Sequence, residues 1–516
     1  MPAPPDSKLS PHSPYQLPDR IHSVIDPWVA ATPDAIALQD DLGRLSYAGL
    51  AAAIESAASC LREAGLRSGD RLLVVGENSN AAAVLALAAS RLDAWISLVN
   101  ARLSPREIDI FIKHSGARLT AFLPAISPDA APHGQRHNAI SVTWPGIGDF
   151  ALGPLNTACE PEPVHESGAE QVAALVYTSG TTGAPKGVML SHHNLAFIGE
   201  SSLRLRRLHP GDRIYGVLPL SHVYGLSSIL ISALHCGATL LLAARFDPAQ
   251  LARSLAKGGV SVLYGVPTMY AKLLEWKRTN KYRLAVPHLR IAQTGGAPLD
   301  QALKDEVEQT FGITLHNAYG MTETSPSIAQ TRLESPRHDC SVGQPIPHVE
   351  VRILNECSNV APGEIGELWV HGPNVMLGYY QNPELTKETI KPGGWFDTGD
   401  LGRMEEDGAL FIMGRSKDLI IHSGFSVYPL EVEQEINAHP DVVHSAVVGH
   451  AIQGNEEVIA FIEPVPDSGL TVESLSTFLR NRLAPYKMPS RFVLMASLPT
   501  TTSGKILKNQ LRQTLG

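Results

Sequence analysis

A segment rich in glycine and hydroxyl residues, Tyr177–Gly187, combines the residue types that bind a polyphosphate. Gly180 and Gly183 allow backbone N–H groups to approach an anion closely, and Lys186 adds a positive charge. The side-chain donors are Thr178, Ser179, Thr181 and Thr182. The segment differs from the Walker A pattern, in which a lysine directly follows glycine and precedes serine or threonine. It predicts a phosphate-binding loop, and a flexible surface loop between a strand and a helix is the alternative.

A second segment, Asn317–Thr324, places an aromatic ring, a hydroxyl and a carboxylate within a few residues. Tyr319 offers a face on which a base can stack, and Thr322 offers a donor to a phosphate. Glu323 offers the hard oxygen ligand that Mg²⁺ prefers. An ordinary turn with a solvated glutamate is the alternative for this segment taken alone.

Three further segments carry a charged residue beside a glycine-containing turn. Asp400 follows Gly393–Gly399 and suits the two hydroxyls of a ribose. Arg415 can make fork-shaped contacts to ribose or phosphate, and Lys505 ends a Gly/Ser/Thr-rich run that begins at Pro499. Each has an ordinary alternative in isolation: an Asx turn, a surface charge cluster and a solvated tail lysine.

The composition is typical of a soluble globular protein with more than one domain. A chain of 516 residues is too long for one compact core, and 44% of the residues are hydrophobic. The formal net charge of −9 argues against nucleic acid as a partner. The five cysteines are scattered and include no C-x-x-C pair, so the sequence indicates neither a zinc site nor a disulfide framework. This cysteine pattern is typical of a protein in the reducing cytoplasm. No signal peptide is expected, because the start of the sequence, Met1–Asp6, shows no basic region followed by an apolar core. No transmembrane span is expected either, because the uncharged stretch Ser227–Ala244 predicts a buried helix, a turn and a buried strand.

The elements that position these segments alternate between strands and helices. The apolar run Val172–Val176 predicts a buried strand before the phosphate-binding segment. Two series of strand, helix and strand, at 72–99 and at 214–242, predict parallel βαβ units. Residues 130–168, rich in Pro, Gly, His and Ser, are expected to form an irregular connection between them.

From Gly343 onward, short alternating strands between Gly, Pro and Asn turns predict a small β-rich subdomain. The predicted fold class is α/β, with a large N-terminal domain over 1–415 made of two similar α/β subdomains and the β-rich subdomain. A small α+β C-terminal domain is expected over 416–516, with its boundary near Arg415–Ser416.

In order and spacing, these five segments resemble those of the acyl-adenylate-forming superfamily, which contains acyl-CoA synthetases, peptide-synthetase adenylation domains and beetle luciferases. The resemblance extends from residue 20 to the end of the chain. It implies an AMP-forming acyl-CoA ligase that uses ATP, Mg²⁺ and CoA. A carboxylate attacks Mg-ATP to give acyl-AMP and pyrophosphate, and CoA then takes the acyl group. It also implies that the C-terminal domain is mobile and rotates between the two half-reactions.

The resemblance assigns roles residue by residue. The implied ATP/AMP site comprises Thr178, Ser179, Gly180, Thr181, Thr182, Gly183, Lys186, Gly296, Ala297, Pro298, Asn317, Ala318, Tyr319, Gly320, Met321, Thr322, Asp400, Arg415 and Lys505. The implied metal ligands are Glu323 and Thr178. The implied catalytic residues are Lys505, His222, Thr322 and Glu323. Lys505 would touch both the substrate carboxylate and the α-phosphate, where charge builds during attack.

The resemblance also implies sites for the acid and for CoA. The acyl pocket comprises His222, Tyr224, Gly225, Ser228, Thr294 and Gly295. His222 would orient the carboxylate or gate the thiol path, and a core histidine is the alternative. Ser423 and Gly424 would line the CoA path, where a missing Cβ leaves room, and Lys417 falls at the hinge.

The expected substrate is a medium- or long-chain fatty acid. Ser423–Pro429 resembles bacterial fatty-acyl-CoA synthetases, no lysine or arginine stands out in the implied pocket, and no aspartate lies near His222. An aryl or arylalkanoic acid is the first alternative, and a stand-alone enzyme that loads a carrier protein or an amine is another. The expected partners are therefore a small carboxylic acid and CoA, and a homodimer is left open.

Overall fold

The computed structural model describes residues 15–179, 185–356, 358–422, 425–452, 455–500 and 506–515. The predicted site residues outside these ranges are Gly180, Thr181, Thr182, Gly183, Ser423, Gly424 and Lys505. The side chain of Ser179 is not described either. The roles expected for these residues stay predictions.

Many of the helices begin at a serine, threonine, asparagine or aspartate that accepts a hydrogen bond from the first turn. Ser46 and Ser79 cap Tyr47–Glu63 and Asn80–Arg91 in this way. The other α-helices of the described residues are Asp26–Ala31, Pro105–Ser115, Ala130–Arg136, His192–Arg206, Ser232–His235, Pro248–Lys257, Pro267–Thr279, Gln301–Phe311, Pro383–Thr389, Pro429–Asn437, Val472–Leu479 and Lys508–Gln513. The 3₁₀ segments are Ile21–Ile25, Thr322–Thr324, Ser416–Asp418 and Pro485–Lys487, and the π-helix is Tyr224–Ile231. A helix with the length and hydropathy needed to cross a membrane is not found in the described ranges.

The first large sheet, here called sheet 1, has a parallel centre between antiparallel edges. Its strands lie in the order Gly378–Tyr379, Pro185–Ser191, Val172–Ser179, Trp95–Val99, Arg71–Val75, Leu119–Phe122, Gly148–Leu152 and Ile140–Trp144. The phosphate-binding segment therefore joins two antiparallel strands, with Thr178 directly opposite Lys186. The helix His192–Arg206 follows only after the second of these strands.

The second large sheet, sheet 2, repeats this plan. Its strands lie in the order Gln344–Pro345, Ser327–Gln330, Leu315–Gly320, Ile291–Gly295, Val262–Gly265, Arg213–Gly216, Thr239–Leu242, Ile36–Gln39 and Arg44–Ser46. Leu315–Gly320 and Ile291–Gly295 run parallel, and Gly295 lies opposite Ala318. Ligands of open parallel sheets bind beyond the carboxyl ends of the strands, where these two residues lie.

The two large sheets share one hydrophobic core, to which Val74 of sheet 1 and Leu240 of sheet 2 both belong. The uncharged stretch Ser227–Ala244 lies in this core as the end of the π-helix, a short helix and the strand Thr239–Leu242. Its interpretation as a buried helix, turn and strand is confirmed.

The remaining sheets are smaller and mostly antiparallel. Sheet 3 contains Ser358–Asn359, Glu350–Asn355, Gly366–His371, Trp395–Met404, Ile390–Lys391 and Leu410–Arg415. The C-terminal part contains the pair Ile420–His422 and Phe425–Val427 and the sheet of Val442–Ile452, Asn455–Pro464 and Arg491–Leu494. It has hydrophobic clusters of its own, with Val447 and Leu475 among their buried members. The expected α/β class, with a large N-terminal and a small C-terminal domain, is confirmed, and the boundary near Arg415–Ser416 stays a prediction.

Candidate active site

Tyr319, Asp400 and Arg415 meet where sheet 2 contacts sheet 3. The Tyr319 hydroxyl donates a 2.6 Å hydrogen bond to Asp400 Oδ2. Arg415 Nε lies 3.4 Å from the other oxygen, Oδ1, of the same carboxylate. Burial, together with the charge of Asp400, raises the pKa of Tyr319 well above its ordinary value. Three residues predicted to bind the nucleotide are thus in direct contact.

Glu323 and Lys186 lie on either side of Tyr379. Glu323 is only 7% exposed, and its Oε1 accepts a 2.9 Å hydrogen bond from the Tyr379 hydroxyl. The Lys186 ammonium lies 5.1 Å from the centre of the same ring, within cation–π distance. Tyr379 therefore connects the predicted metal ligand to the predicted phosphate-binding lysine. The sequence reasoning missed Tyr379, and its place in a Gly-Tyr-Tyr run at 378–380 was the available signal.

The turn after strand Ile291–Gly295 lies beside Tyr319. Gly296 has a φ of 76°, which a glycine adopts without strain, and Gly296 and Pro298 are exposed while Ala297 is partly buried. Since Gly295 is paired with Ala318, this turn and Tyr319 lie at the ends of adjacent strands. Both predicted walls of the nucleotide site are therefore at one edge of sheet 2.

Two of the residues predicted to bind the nucleotide, Asn317 and Gly320, make contacts within the protein that stabilise the fold. Asn317 is 4% exposed and donates to the carbonyl oxygens of Cys340 and Ser341. Gly320 packs so closely on the Pro326 carbonyl that a side chain there would collide with it. The partly exposed Ala318 and Met321 and the buried Thr322 complete this stretch. Their contacts with a nucleotide stay predictions.

Glu323 suits a magnesium ion that is bound together with phosphate oxygens. Within the described ranges, no cluster of three or more His, Cys, Asp or Glu side chains is arranged to hold a metal. Mg²⁺ commonly uses one or two carboxylates, substrate phosphates and waters in place of an all-protein cage. A single buried carboxylate beside Lys186 and Thr178 fits that donor set.

His222 precedes the π-helix Tyr224–Ile231. Its Nδ1 accepts a 3.2 Å hydrogen bond from the Tyr224 N–H, so the neutral imidazole carries its proton on Nε2. A π-helix is rare in proteins and often marks a functional site. This one contains the predicted pocket residues Gly225 and Ser228, both buried.

Tyr224 connects this helix to sheet 2. Its hydroxyl lies 3.6 Å from the point where a Cβ on Gly295 would be, so the ring covers the glycine. The centres of the Tyr224 and Tyr264 rings are 6.3 Å apart in an edge-to-face arrangement. Thr294, next to Gly295, is fully buried. Two separately predicted parts of the acyl pocket are thus adjacent.

Arg206 lies near this pocket, where the sequence reasoning saw no prominent arginine or lysine. Its guanidinium is close enough to Tyr224 and Tyr264 to oppose the rise in pKa that burial causes in both hydroxyls. No sequence signal separated Arg206 from the adjacent Arg204 and Arg207, because its burial depends on contacts with distant residues.

The segment Ser416–Asp418, where the hinge is predicted, links sheet 3 to the C-terminal part. Ser416 Oγ donates a 3.0 Å hydrogen bond to the Gly399 carbonyl, and Asp418 forms a 2.6 Å ion pair with Arg512. Lys417 between them is exposed. Its role as a hinge stays a prediction.

Comparisons with known proteins give a consistent result. The family model of the AMP-binding enzymes matches residues 25–380, and the model of the AMP-binding enzyme C-terminal domain matches 431–505. Feruloyl-CoA synthase of an Amycolatopsis species is 34% identical, over 94% of this chain and 97% of its own length. A long-chain-fatty-acid–CoA ligase of Escherichia coli O157:H7 is 37% identical, over 66% of this chain and 62% of its own.

A solved structure matches as well. The o-succinylbenzoate coenzyme A synthetase of Bacillus subtilis, in complex with ATP and a magnesium ion, has a TM-score of 0.81 and 29% identity, covering 95% of this chain and 99% of its own. The chain belongs to the family of AMP-binding enzymes, and it is an AMP-forming acid–thiol ligase that uses ATP, Mg²⁺ and CoA.

Proposed function

We propose that this ligase activates an aromatic carboxylic acid, of the aryl or arylalkanoic class, and transfers it to CoA. The observation that carries the proposal is the buried edge-to-face pair of Tyr224 and Tyr264 beside Gly295. Aromatic rings bind favourably in offset and edge-to-face arrangements, and such a wall accommodates one more ring. Feruloyl-CoA synthase and o-succinylbenzoate coenzyme A synthetase, both similar over nearly the whole chain, are named for aromatic acids.

A medium- or long-chain fatty acid is the second candidate. The observation in its favour is the 37% identity to a long-chain-fatty-acid–CoA ligase, together with the sequence of Ser423–Pro429. The surroundings of Tyr224 argue against it, because Arg206 and two tyrosine hydroxyls there lack hydrogen-bond partners among the described residues. An alkyl tail can neither pack edge to face with the two tyrosine rings nor accept a hydrogen bond, whereas an aromatic acid can do the first and, when it carries an oxygen, also the second.

At the nucleotide end, residues of sheets 2 and 3 would share the binding of the nucleoside. The Tyr319 ring would stack on adenine while its hydroxyl remains bonded to Asp400. Asp400 Oδ1 and Arg415 would bind the ribose hydroxyls and the α-phosphate side of the nucleotide. The turn at Gly296 would lie against the other face of the base.

At the reacting end, Glu323 would hold Mg²⁺, whose charge offsets that of the phosphates. Lys186 and Thr178 would bind the departing pyrophosphate. The Nε2–H of His222 would donate to the substrate carboxylate and orient it for attack. Lys505 would supply the cation at the α-phosphate, and a preorganised charge of this kind contributes about 10²–10³ in rate.

The test is ATP–pyrophosphate exchange with purified protein and a panel of acids, namely benzoic, phenylacetic, cinnamic, octanoic and hexadecanoic acid. We expect the aromatic acids to give kcat/KM values about tenfold or more above the alkyl acids. Higher values for octanoic or hexadecanoic acid would overturn the proposal in favour of the fatty-acid candidate. Measuring thiol consumption with CoA and with a carrier protein identifies the acceptor.

A further inference from the structure

We propose that Arg206, Tyr224 and Tyr264 form an anchor for an oxygen atom at the far end of the acyl substrate. The preferred acids would then be aromatic acids that carry a second hydrogen-bond-accepting oxygen, as a distal carboxylate or a phenolic oxygen. This inference rests on the proposed function and narrows it, since it names a group that the substrate must carry in addition to its ring.

The guanidinium of Arg206 is buried with one nitrogen unsatisfied. Arg206 ends the helix His192–Arg206 and is 1% exposed. Its Nε donates a 2.5 Å hydrogen bond to Gln293 Oε1, and its Nη1 donates a 2.7 Å hydrogen bond to the Thr331 carbonyl. In the described part of the chain, its Nη2 has no hydrogen-bond partner. The unsatisfied nitrogen is thus a donor that an acceptor oxygen fits.

In the part of the chain that the structure describes, no carboxylate forms an ion pair with Arg206. Both of its hydrogen-bond partners are neutral, whereas Arg204 two residues earlier forms a 2.6 Å ion pair with Glu200. The nearby charges of Arg332 and the exposed Glu334 have opposite effects on the pKa of Arg206: Arg332 lowers it and Glu334 raises it. Burial lowers the pKa of Arg206 to about 10, so it remains charged at neutral pH. Because proteins ordinarily pair a buried charge, an anionic oxygen suits this place best.

Two tyrosine hydroxyls add further donors to the same region. Among the described residues, neither Tyr224 OH nor Tyr264 OH has a hydrogen bond of good geometry, and both are buried. Gln293, which accepts from Arg206, lies close enough to the Tyr224 hydroxyl to lower its pKa. His316 is the other titratable ring here, and burial lowers its pKa to about 3, so it adds no charge at neutral pH. Among the described residues, the region therefore contains one positive charge and three donor groups without a well-formed hydrogen bond, which is the complement of an oxygen acceptor.

Tyr224 relates this region to the reacting carboxylate. Its backbone N–H binds His222 Nδ1, and its hydroxyl end lies beside Gly295 and toward Tyr264. The two ends of the pocket are therefore separated by about one tyrosine side chain. A benzoic or cinnamic acid substituted at its far end has a comparable length, so one oxygen can reach His222 and another the anchor.

The experiment compares three acids that differ only at the far end: cinnamic, 4-hydroxycinnamic and 4-carboxycinnamic acid. For the wild-type protein we expect kcat/KM in ATP–pyrophosphate exchange to be about 100-fold higher for the two oxygenated acids than for cinnamic acid. The ranking of those two identifies which oxygen the anchor prefers. Equal values for all three acids would overturn the anchor while leaving the aromatic substrate class intact. Octanoic and hexadecanoic acid are measured alongside, and higher kcat/KM values for them than for all three aromatic acids would overturn the proposed function itself.

Two conservative variants test the residues. Tyr224→Phe and Tyr264→Phe each remove only a hydroxyl that has no well-formed hydrogen bond to the described residues, so both should fold. Each should reduce the preference for oxygenated acids about tenfold. Arg206→Met should remove the preference altogether, and the tyrosine variants decide the question if Arg206→Met fails to fold. Tyr215→Phe is the matched control, because its buried hydroxyl also has no partner among the residues that the structure describes but lies near Asp247 and Asp41. An unchanged preference in both tyrosine variants, or an equal change in Tyr215→Phe, would contradict the anchor.

Discussion

The hydroxyl of Tyr319 donates a 2.6 Å hydrogen bond to Asp400, a residue 81 positions later in the chain and on a different sheet. The hydrogen bond holds the Tyr319 ring in place and uses one oxygen of the Asp400 carboxylate, a residue that is only 7% exposed. The second oxygen lies 3.4 Å from Arg415 Nε, so the proposed base contact and the proposed ribose contacts are adjacent. In the proposed site, base stacking by Tyr319 and ribose binding by Asp400 would therefore be coupled through this one hydrogen bond.

Tyr319→Phe should weaken ATP binding without removing the stacking surface. The variant loses the hydrogen bond that orients Asp400, and bonds to charged groups contribute about 1.5–3 kcal/mol, so we expect the KM for ATP to rise about tenfold. Steady-state exchange at varied ATP measures it. Tyr319→Leu should have a larger effect because it also removes the ring. Equal KM values for the two variants would contradict a role of the ring in stacking.

Tyr379→Phe should impair the use of Mg²⁺. The hydroxyl of Tyr379 orients the Glu323 carboxylate, and we expect its loss to raise the Mg²⁺ concentration for half-maximal rate about 3–10-fold. The ring that lies beside Lys186 remains in this variant. A magnesium titration at saturating ATP measures the change.

The neighbouring tyrosine provides the matched control for Tyr379. The hydroxyl of Tyr380 donates a 2.8 Å hydrogen bond to Glu162, a different carboxylate, so Tyr380→Phe should leave the magnesium titration unchanged. The same shift in both variants would show that the effect is structural and that Tyr379 has no specific connection to the metal.

The sequence predicted the large sheets well and one edge of sheet 1 poorly. Apolar runs such as Val172–Val176 carry a strong local signal, and the structure extends this strand to Ser179. Residues 130–168 were expected to be irregular, yet Ile140–Trp144 and Gly148–Leu152 form a hairpin of sheet 1. Its strands have five residues each, half of them exposed, and a packing contact of Trp144 and Phe150 that composition does not reveal holds them together.

In the candidate site, too, some residues could be predicted from the sequence and others could not. Tyr319, Asp400 and Arg415 were identified from motif residues, and their side chains are in contact in the structure. Tyr379 could not be identified, because its role depends on the pairing of a two-residue strand with Pro185–Ser191. Arg206 was missed since its hydrogen-bond partners, 87 and 125 residues away, are brought together only by the fold.

Gly225→Ala should destabilise the protein and impair acid binding. A Cβ at this position would collide with the carbonyl of Pro219, a backbone atom that cannot rotate away. Overpacking of this kind costs about 1–3 kcal/mol, and the shift would displace the flanking His222 and Tyr224. Thermal unfolding and the KM for the acid measure the two effects. Gly43→Ala is the control, because nothing lies within 4 Å of a Cβ there, and an equal loss of stability in both would contradict the packing argument.

His316 should make the stability of the folded protein depend on pH in mildly acidic solution. It is 5% exposed, its Nδ1 lies 3.1 Å from Thr331 Oγ1, and burial lowers its pKa from 6.5 to about 3. Between these values the unfolded chain binds a proton that the folded chain does not. The free energy of unfolding therefore falls as the pH decreases below 6.5, by about 1.4 kcal/mol per pH unit from this residue.

His316→Asn keeps a hydrogen-bonding group near Thr331 and removes the titration. The loss of stability between pH 7.5 and pH 5.5 should therefore be smaller in His316→Asn than in the wild type, by about 1.4 kcal/mol. Urea unfolding at the two pH values measures this difference. His338→Asn, at an exposed position, should retain the wild-type dependence. If the free energy of unfolding depended on pH in the same way in His316→Asn and the wild type, His316 would have an ordinary pKa in the folded protein. Protonated His316 would then be a second positive charge near Arg206 in mildly acidic solution.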